Sequence, residues 1–219
     1  MSLRYSKLTP RQHGELLKLF VAGATARGAA ELVGVHRNTA ALFYRKLREL
    51  IAEHQEHKMR QAFDGEVEID ESYFGGHRKG KRGRGAAGKV AVFGLLKRGG
   101  KVYVQMVDNC RRRTLLPIIH RRVMPDSIVY SDTLSVYNTL SAEGYHHVRI
   151  NHNQELAGPN GRHINGIENF WNQAKRHLRR FNGVPKDSFY LFIKECEWRF
   201  NTGNASQQLK SLRSITKRR

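Results

Sequence analysis

Apolar residues return every three or four positions through residues 9–51. Leu16, Leu17, Phe20 and Val21, then Ala29, Ala30, Leu32 and Val33, then Ala40, Phe43, Leu47, Leu50 and Ile51 stand at helical spacings, with Gly23 and Gly34 as punctuation. The pattern predicts three short helices in succession. Residues 26–50, ARGAAELVGVHRNTAALFYRKLREL, have the layout of a helix-turn-helix: small Ala30 where two helices cross, Gly34 in the turn, then a new helix. That layout would present His36, Arg37, Asn38 and Thr39 to a major groove. The plainer reading is a three-helix core that only looks like one.

From residue 66 the period shortens to two. VEID, KVAVFGLLK, KVYVQMVD, SIVYSD and HHVRIN are rich in Val, Ile and Tyr and predict five strands. Helices are predicted over Arg111 to Val123, over about Thr133 to Ala142, and onward from Ile164 and from Lys186. Strands that first follow one another and then alternate with helices imply an α/β fold, a mixed sheet flanked by helices. The expected organisation is therefore a small all-α region over 1–51, a polar linker or helix extension over 52–63, the sheet domain over 64–202 and a basic tail over 203–219. No internal repeat is visible.

Charge sharpens this picture. The 219 residues carry 39 Lys and Arg against 19 Asp and Glu, a formal net charge of +20, which favours a polyanionic partner and above all nucleic acid. Gly75 to Lys89, GGHRKGKRGRGAAGK, interleaves glycines with basic residues between the first two strands. It reads as an arm whose Arg78, Lys79, Lys81, Arg82 and Arg84 track a phosphate backbone, or else as a loop whose charge only aids solubility. Cys110 and Cys196 are the only cysteines and neither lies in a C-x-x-C pair, so a zinc ribbon or disulfide framework lacks ligands. No run of about 18 apolar residues exists and the opening MSLRYSKLTPRQHG lacks the apolar core of a signal peptide. The expected location is cytoplasmic and nucleoid-associated, with no membrane partner.

Cleavage and transfer at phosphodiesters commonly use two divalent ions about 4 Å apart. Hard ions prefer carboxylate oxygens, which must converge from separate elements. Three acids fit: Asp70 at the end of VEID, Asp132 at the end of SIVYSD, and Glu168 in the first turns of the helix from Ile164. Strand ends are where an α/β sheet presents its ligands. Glu66 and Glu68 share a strand face with Asp70, where either could support the ligand or be only a strand-edge charge, and Glu71 points the other way. Four histidines between His146 and His163 lack compact ligand spacing, so zinc is disfavoured there. His163, Asn165 and Asn169 read as helix-capping or DNA-contacting residues, and Phe170, Trp171, Trp198 and Phe200 as core. Seven helical residues advance about 700°, so Glu168, Asn172 and Lys175 share one face while Ile167, Phe170, Trp171, Ala174 and Leu178 form an apolar stripe opposite.

GEVEIDESYFGG, IVYSD and HINGIENFWNQAKRHLRRFNG resemble the three catalytic blocks of the DDE-type transposases of bacterial insertion sequences, in their ISXO-like branch. The 36 positions from Asp132 to Glu168 and the Lys175 seven residues further on match that class. The resemblance covers residues 64 to about 201. It implies a ribonuclease-H-like fold, two Mg²⁺ ions (or Mn²⁺) on catalytic Asp70, Asp132 and Glu168, cleavage at transposon ends followed by strand transfer, and a homo-oligomer in the active complex. Lys175 and Asn172 would then face transposon-end DNA. Larger relatives carry a zinc ribbon that this chain lacks, which leaves end recognition to the helix-turn-helix. Two alternatives stay open: a non-catalytic helix-turn-helix regulator, and a ribonuclease-H-like nuclease without strand transfer.

Overall fold

A computed structural model describes residues 8–58, 62–75, 88–150 and 163–217. The chain divides into two compact units, one of Met1–Lys58 with Arg176–Arg219 and one of Met59–Lys175.

The first unit is helical. Helix α1 (Pro10–Val21) starts at a reciprocal cap in which Gln12 N–H donates to Thr9 Oγ1 at 3.2 Å and Thr9 N–H donates to Gln12 Oε1 at 2.9 Å. Helix α2 (Ala26–Val33) is capped by Thr25 and ends at Gly34, whose φ of +70° is a left-handed conformation that glycine adopts without strain. Helix α3 (Arg37–Lys58) follows. The three expected helices are present, and α3 is 22 residues long and continues to Lys58, the helix extension that is one of the two readings of this segment. Ala52 and Gln55 on that extension are buried, and Gln55 Nε2 donates to Glu197 Oε1 at 3.1 Å, so the polar stretch has a packed face.

Beyond the sheet, α6 (Lys186–Thr202) and α7 (Ala205–Lys217) complete this unit. Residues 203–219, expected as a tail, are thus mostly helix. Leu212 is fully buried with Phe20, Leu47 and Trp198, and its spacing from Leu209 and Ile215 is the helical signal that the surrounding basic residues mask.

The second unit is built on a sheet. Strands β1 (Glu66–Phe74), β2 (Val90–Lys97) and β3 (Val102–Val107) form an antiparallel meander, followed by α4 (Arg112–Arg122), β4 (Ile128–Ser131) and β5 (His146–Arg149). The order across the sheet is β3-β2-β1-β4-β5, with β4 parallel to β1 and β5 parallel to β4. This is the mixed sheet that the strand pattern predicts, in the ribonuclease-H-like order that the family resemblance implies. Ile69, Phe93 and Leu95 pack with Leu115 and Ile119 of α4 in one core cluster. Helix α5 (Asn165–Arg179) buries Ile167, Phe170, Trp171 and Ala174, the expected stripe, and the division between the units falls within it. The close approach of α5 depends on Gly94, where an added Cβ would lie 2.6 Å from Trp171 Cζ2.

One predicted helix is absent. Residues 133–142 form two short 3₁₀ turns, Ser135–Tyr137 and Leu140–Glu143. The stretch TLSVYNTLSA is rich in Ser, Thr and Asn, whose side chains compete with helical backbone bonds, and Leu134 N–H donates to Asp132 Oδ1 at 3.0 Å instead. Among the described residues no helix is long and apolar enough to cross a membrane.

Candidate active site

Every β1–β4 pair is offset by 62 positions, the offset that separates Asp70 from Asp132. Continued two positions past its last pair, that register brings Asp70 level with Asp132, the residue just after β4. The pairing itself stops early: β4 ends at Ser131, and its pairs with β1 reach only Glu68. Asp70 does not end its strand, as the sequence suggests, because the aromatic residues Tyr73 and Phe74 carry β1 on against β2 as far as Val90. Asp70 meets a crevice because its neighbour on the β4 side runs out.

At this opening Asp70, Glu71 and Asp132 each offer an oxygen within 4.8 Å of the other two. Glu71 is the unexpected member. Its side chain leaves the opposite face of β1 from Asp70, as the period of two requires: Tyr137 Oη–H donates to Glu71 Oε2 at 2.9 Å, while Trp171 Nε1–H of α5 donates to Asp70 Oδ2 at 3.0 Å. With β4 ended, no strand keeps the two faces apart. Burial, and then the negative charges of Glu71 and Asp132, push the Asp70 carboxyl up to about 7. Converging hard oxygen donors whose charges repel one another are the donor set that a divalent cation satisfies.

Glu168 lies half-buried in the first turn of α5, and no group of three acids containing it reaches the same spacing among the described residues. It is three residues before Trp171, and residues so spaced are surface neighbours on a helix about 5–6 Å apart at Cβ. The indole that holds Asp70 thus ties Glu168's helix to the same strand. Asn172 and Lys175 are exposed further along α5.

Trp171 reads from sequence as core, and it is 3% exposed. Its role toward Asp70 was foreseeable in one respect, since a buried indole N–H needs an acceptor. Glu68 is the other residue whose part the sequence understates: it is buried, and its Oε2 accepts the Ile167 N–H at 2.8 Å.

The remaining expected positions are dispersed. His36, Arg37 and Asn38 are exposed and Thr39 is half-buried around the start of α3, with the Asn38 N–H donating to His36 Nδ1 at 3.3 Å. Arg78, Lys79, Lys81, Arg82 and Arg84 lie outside the described residues. Among the described residues the histidines do not gather: His147 Nε2 is 2.8 Å from Ser131 Oγ, with its pKa lowered by burial and then by Arg149, whereas His163 Nδ1 is 3.6 Å from Glu68 Oε1.

A ribonuclease-H-like sheet that gathers carboxylates at the open end of two parallel central strands has the architecture of a DDE-type transposase domain. The chain belongs to the ISXO2-like transposase family: the model of the ISXO2-like transposase domain matches residues 62–201. It is 51% identical over 117 residues to an uncharacterized transposase-like protein of Haemophilus influenzae, an alignment covering 53% of this chain and 94% of that protein. Among solved structures it is similar to the Mos1 strand transfer complex at 12% identity and a TM-score of 0.41, covering 98% of this chain and 78% of that one. A simian T-cell lymphotropic virus intasome, in complex with PP2A regulatory subunit B56 gamma, matches at 14% identity and a TM-score of 0.36 over 82% of this chain and 66% of that one.

Proposed function

We propose that this protein is a DNA transposase that binds the ends of its insertion element, cuts there and joins the freed 3′ hydroxyl to target DNA. The observation that carries this reading is the meeting of Asp70 and Asp132 where β4 ends, with the Glu71 carboxylate within 4.8 Å of both, in a chain of the ISXO2-like family. Asp70, Asp132 and Glu168 would hold two Mg²⁺ ions, or Mn²⁺. When bound, such ions polarise the attacking and leaving oxygens of an in-line displacement.

The protein's own residues do the rest. Trp171 orients the Asp70 carboxylate through its N–H, and the turn after β4 orients Asp132 through the Leu134 N–H. Lys175, two turns beyond Glu168 on the same helix face, is placed to meet the terminal nucleotides, with Asn172 between them. Arg37 and Asn38, exposed at the start of α3 with His36 and Thr39, are the proposed base-reading residues, and the Gly75–Lys89 arm supplies phosphate contacts without sequence preference. A net charge of +20 suits a partner of this kind.

The test is a supercoiled plasmid carrying the element's terminal repeats, incubated with the protein in Mg²⁺ or EDTA, with mapping of breaks and junctions. Breaks at the repeat ends and joined donor and target strands are expected only in Mg²⁺. Asp132→Asn should lose both by at least about 100-fold, while its affinity for the ends stays near that of the parent, because an amide is a poor ligand for a hard cation. Nicks without joined products would favour a nuclease, and equal nicking by parent and variant would remove Asp132 from the site.

A further inference from the structure

The buried acid beneath the site has a geometry of its own. Glu68 stands two residues before Asp70 on β1, is 1% exposed, and aims both carboxylate oxygens at fixed partners. Oε2 accepts the Ile167 N–H at 2.8 Å. Ile167 is the third residue of α5, so this is one of the first-turn donors that the helix itself leaves unpaired. A carboxylate there also opposes the positive end of the helix dipole. Oε1 accepts from Arg98 Nε at 3.1 Å.

Arg98 is itself immobilised. Its guanidinium lies 3.6 Å from the centroid of the Tyr130 ring, Nη1 reaches Glu66 Oε2 at 2.7 Å, and Nη2 donates to the His163 carbonyl just before α5 begins. Strand β1, the β2–β3 turn, β4 and the entry to α5 are therefore tied to one carboxylate. Gly166 admits it: a Cβ at that position would lie 2.8 Å from Glu68 Oε2 and 3.0 Å from Leu96 Cδ2.

The residue after the clamped Ile167 is Glu168. We propose that Glu68 is a positioning residue, a strand-borne clamp on the first turn of α5 that fixes where Glu168 stands relative to Asp70 and Asp132. This rests on the reading of those three acids as the metal site. The physical reason is precision: a carboxylate on a helix's first turn inherits every shift and rotation of that turn, and a metal site loosens when its ligands depart by about 0.5 Å from their working geometry. Trp171 fixes the same helix one turn further on, so two hydrogen bonds from β1, at Glu68 and at Asp70, bracket Glu168.

The experiment uses the full chain as parent, Glu68→Ala, Glu68→Gln, Gly166→Ala and Glu168→Gln. Mn²⁺ affinity is read from the electron paramagnetic resonance of the free ion, beside the Mg²⁺ concentration giving half-maximal nicking and the urea unfolding midpoint. Glu68→Ala and Gly166→Ala should raise the Mn²⁺ dissociation constant by about tenfold or more, as loss of a ligand-orienting partner does. Glu68→Gln should restore most of it, since its amide oxygen can still accept the Ile167 N–H. In a further variant that combines Glu68→Ala with Gly166→Ala, the Gly166 change should add little, because both act through the same contact.

A merely structural Glu68 would lower the urea midpoint and leave the metal affinity of the folded protein at the parent value, which overturns the clamp. Should Glu68→Ala fail to fold, Gly166→Ala disturbs the same contact while keeping every charge, and its Mn²⁺ affinity decides the matter. Glu168→Gln separates the two levels. If it weakens Mn²⁺ binding and stops nicking while Glu68→Ala and Gly166→Ala match the parent, the clamp alone is wrong; if it too matches the parent, the three-acid site is wrong.

Discussion

Asp70 sits where burial and repulsion meet. Its carboxyl is pushed from an ordinary 3.8 up to about 7 by burial and by the charges of Glu71 and Asp132, so the folded metal-free protein binds a proton that the unfolded chain releases. A group raised in this way contributes stability that is fully present below its unfolded value and is lost as pH climbs through the folded one. Metal-free parent protein in EDTA should therefore lose stability from this group as pH rises from about 4 to about 8. Asp70→Asn cannot ionise, and thermal melts across that range should show a flatter profile and a higher Tm than the parent at the alkaline end. The gain should be roughly 2–4 °C for each kcal/mol of repulsion removed. Mg²⁺ added at the alkaline end should raise the parent's Tm more than the variant's, because it binds the folded carboxylates. Parallel profiles for the two proteins would show that burial and the neighbouring charges do not raise Asp70 as its surroundings imply.

At the scale of elements, the helix that carries Glu168 is seated by what the sheet omits. Gly94 on β2 leaves the space that the Trp171 ring fills, and Ile167 Cδ1 lies 3.0 Å from where a Cβ would stand. Gly94→Ala should push α5 outward, with an overpacking penalty of about 1–3 kcal/mol in urea unfolding. Because α5 also carries Trp171, the Asp70 hydrogen bond should loosen, and nicking should fall further than stability alone explains. Unchanged stability would mean that the helix has room to spare. The elements themselves were largely legible, since five strands and the apolar stripe of α5 follow from periods of two and 3.6. The exceptions have local causes. Residues 133–142 carry a helical spacing but are rich in Ser, Thr and Asn, residue types that compete with helical backbone bonds, and β1 outlasts its acid because the aromatic residues beyond Asp70 pair with β2.

For the whole molecule the leading fact is the charge of +20, which should make DNA binding strongly salt-dependent. Neutralising Arg78, Lys79, Lys81, Arg82 and Arg84 together should weaken binding to every sequence and flatten the plot of log affinity against log salt by roughly one unit of slope per lost contact. Replacing Arg37 and Asn38 by Ala should instead erase the preference for the element's ends over unrelated DNA, leaving most of the slope in place. Competition binding at several salt concentrations distinguishes the two effects. If both variants lost only non-specific affinity, the helix-turn-helix proposal would fail. Charge is also what conceals α7, whose buried Leu212 stands among Lys210, Arg213 and Lys217 and reads as a tail until its packing is seen.

Periodicity, turn residues and the type and spacing of acids belong to short stretches of chain, and these settled most of the helices, the strands, the mixed α/β class and the choice of Asp70 and Asp132 as candidates. Only the tertiary structure decided that the two acids come together where β4 ends, that Glu71 joins them, that the Trp171 N–H donates to Asp70, and that Glu68 accepts a hydrogen bond from the first turn of Glu168's helix. The physical reason is range. A strand's period says which residues share a face but not which strand lies beside it, where that neighbour ends, or how closely a helix about 100 residues away can approach. Those depend on sheet order, on the early end of β4 and on two glycines, Gly94 and Gly166, whose importance lies in the side chains from distant segments that occupy their space.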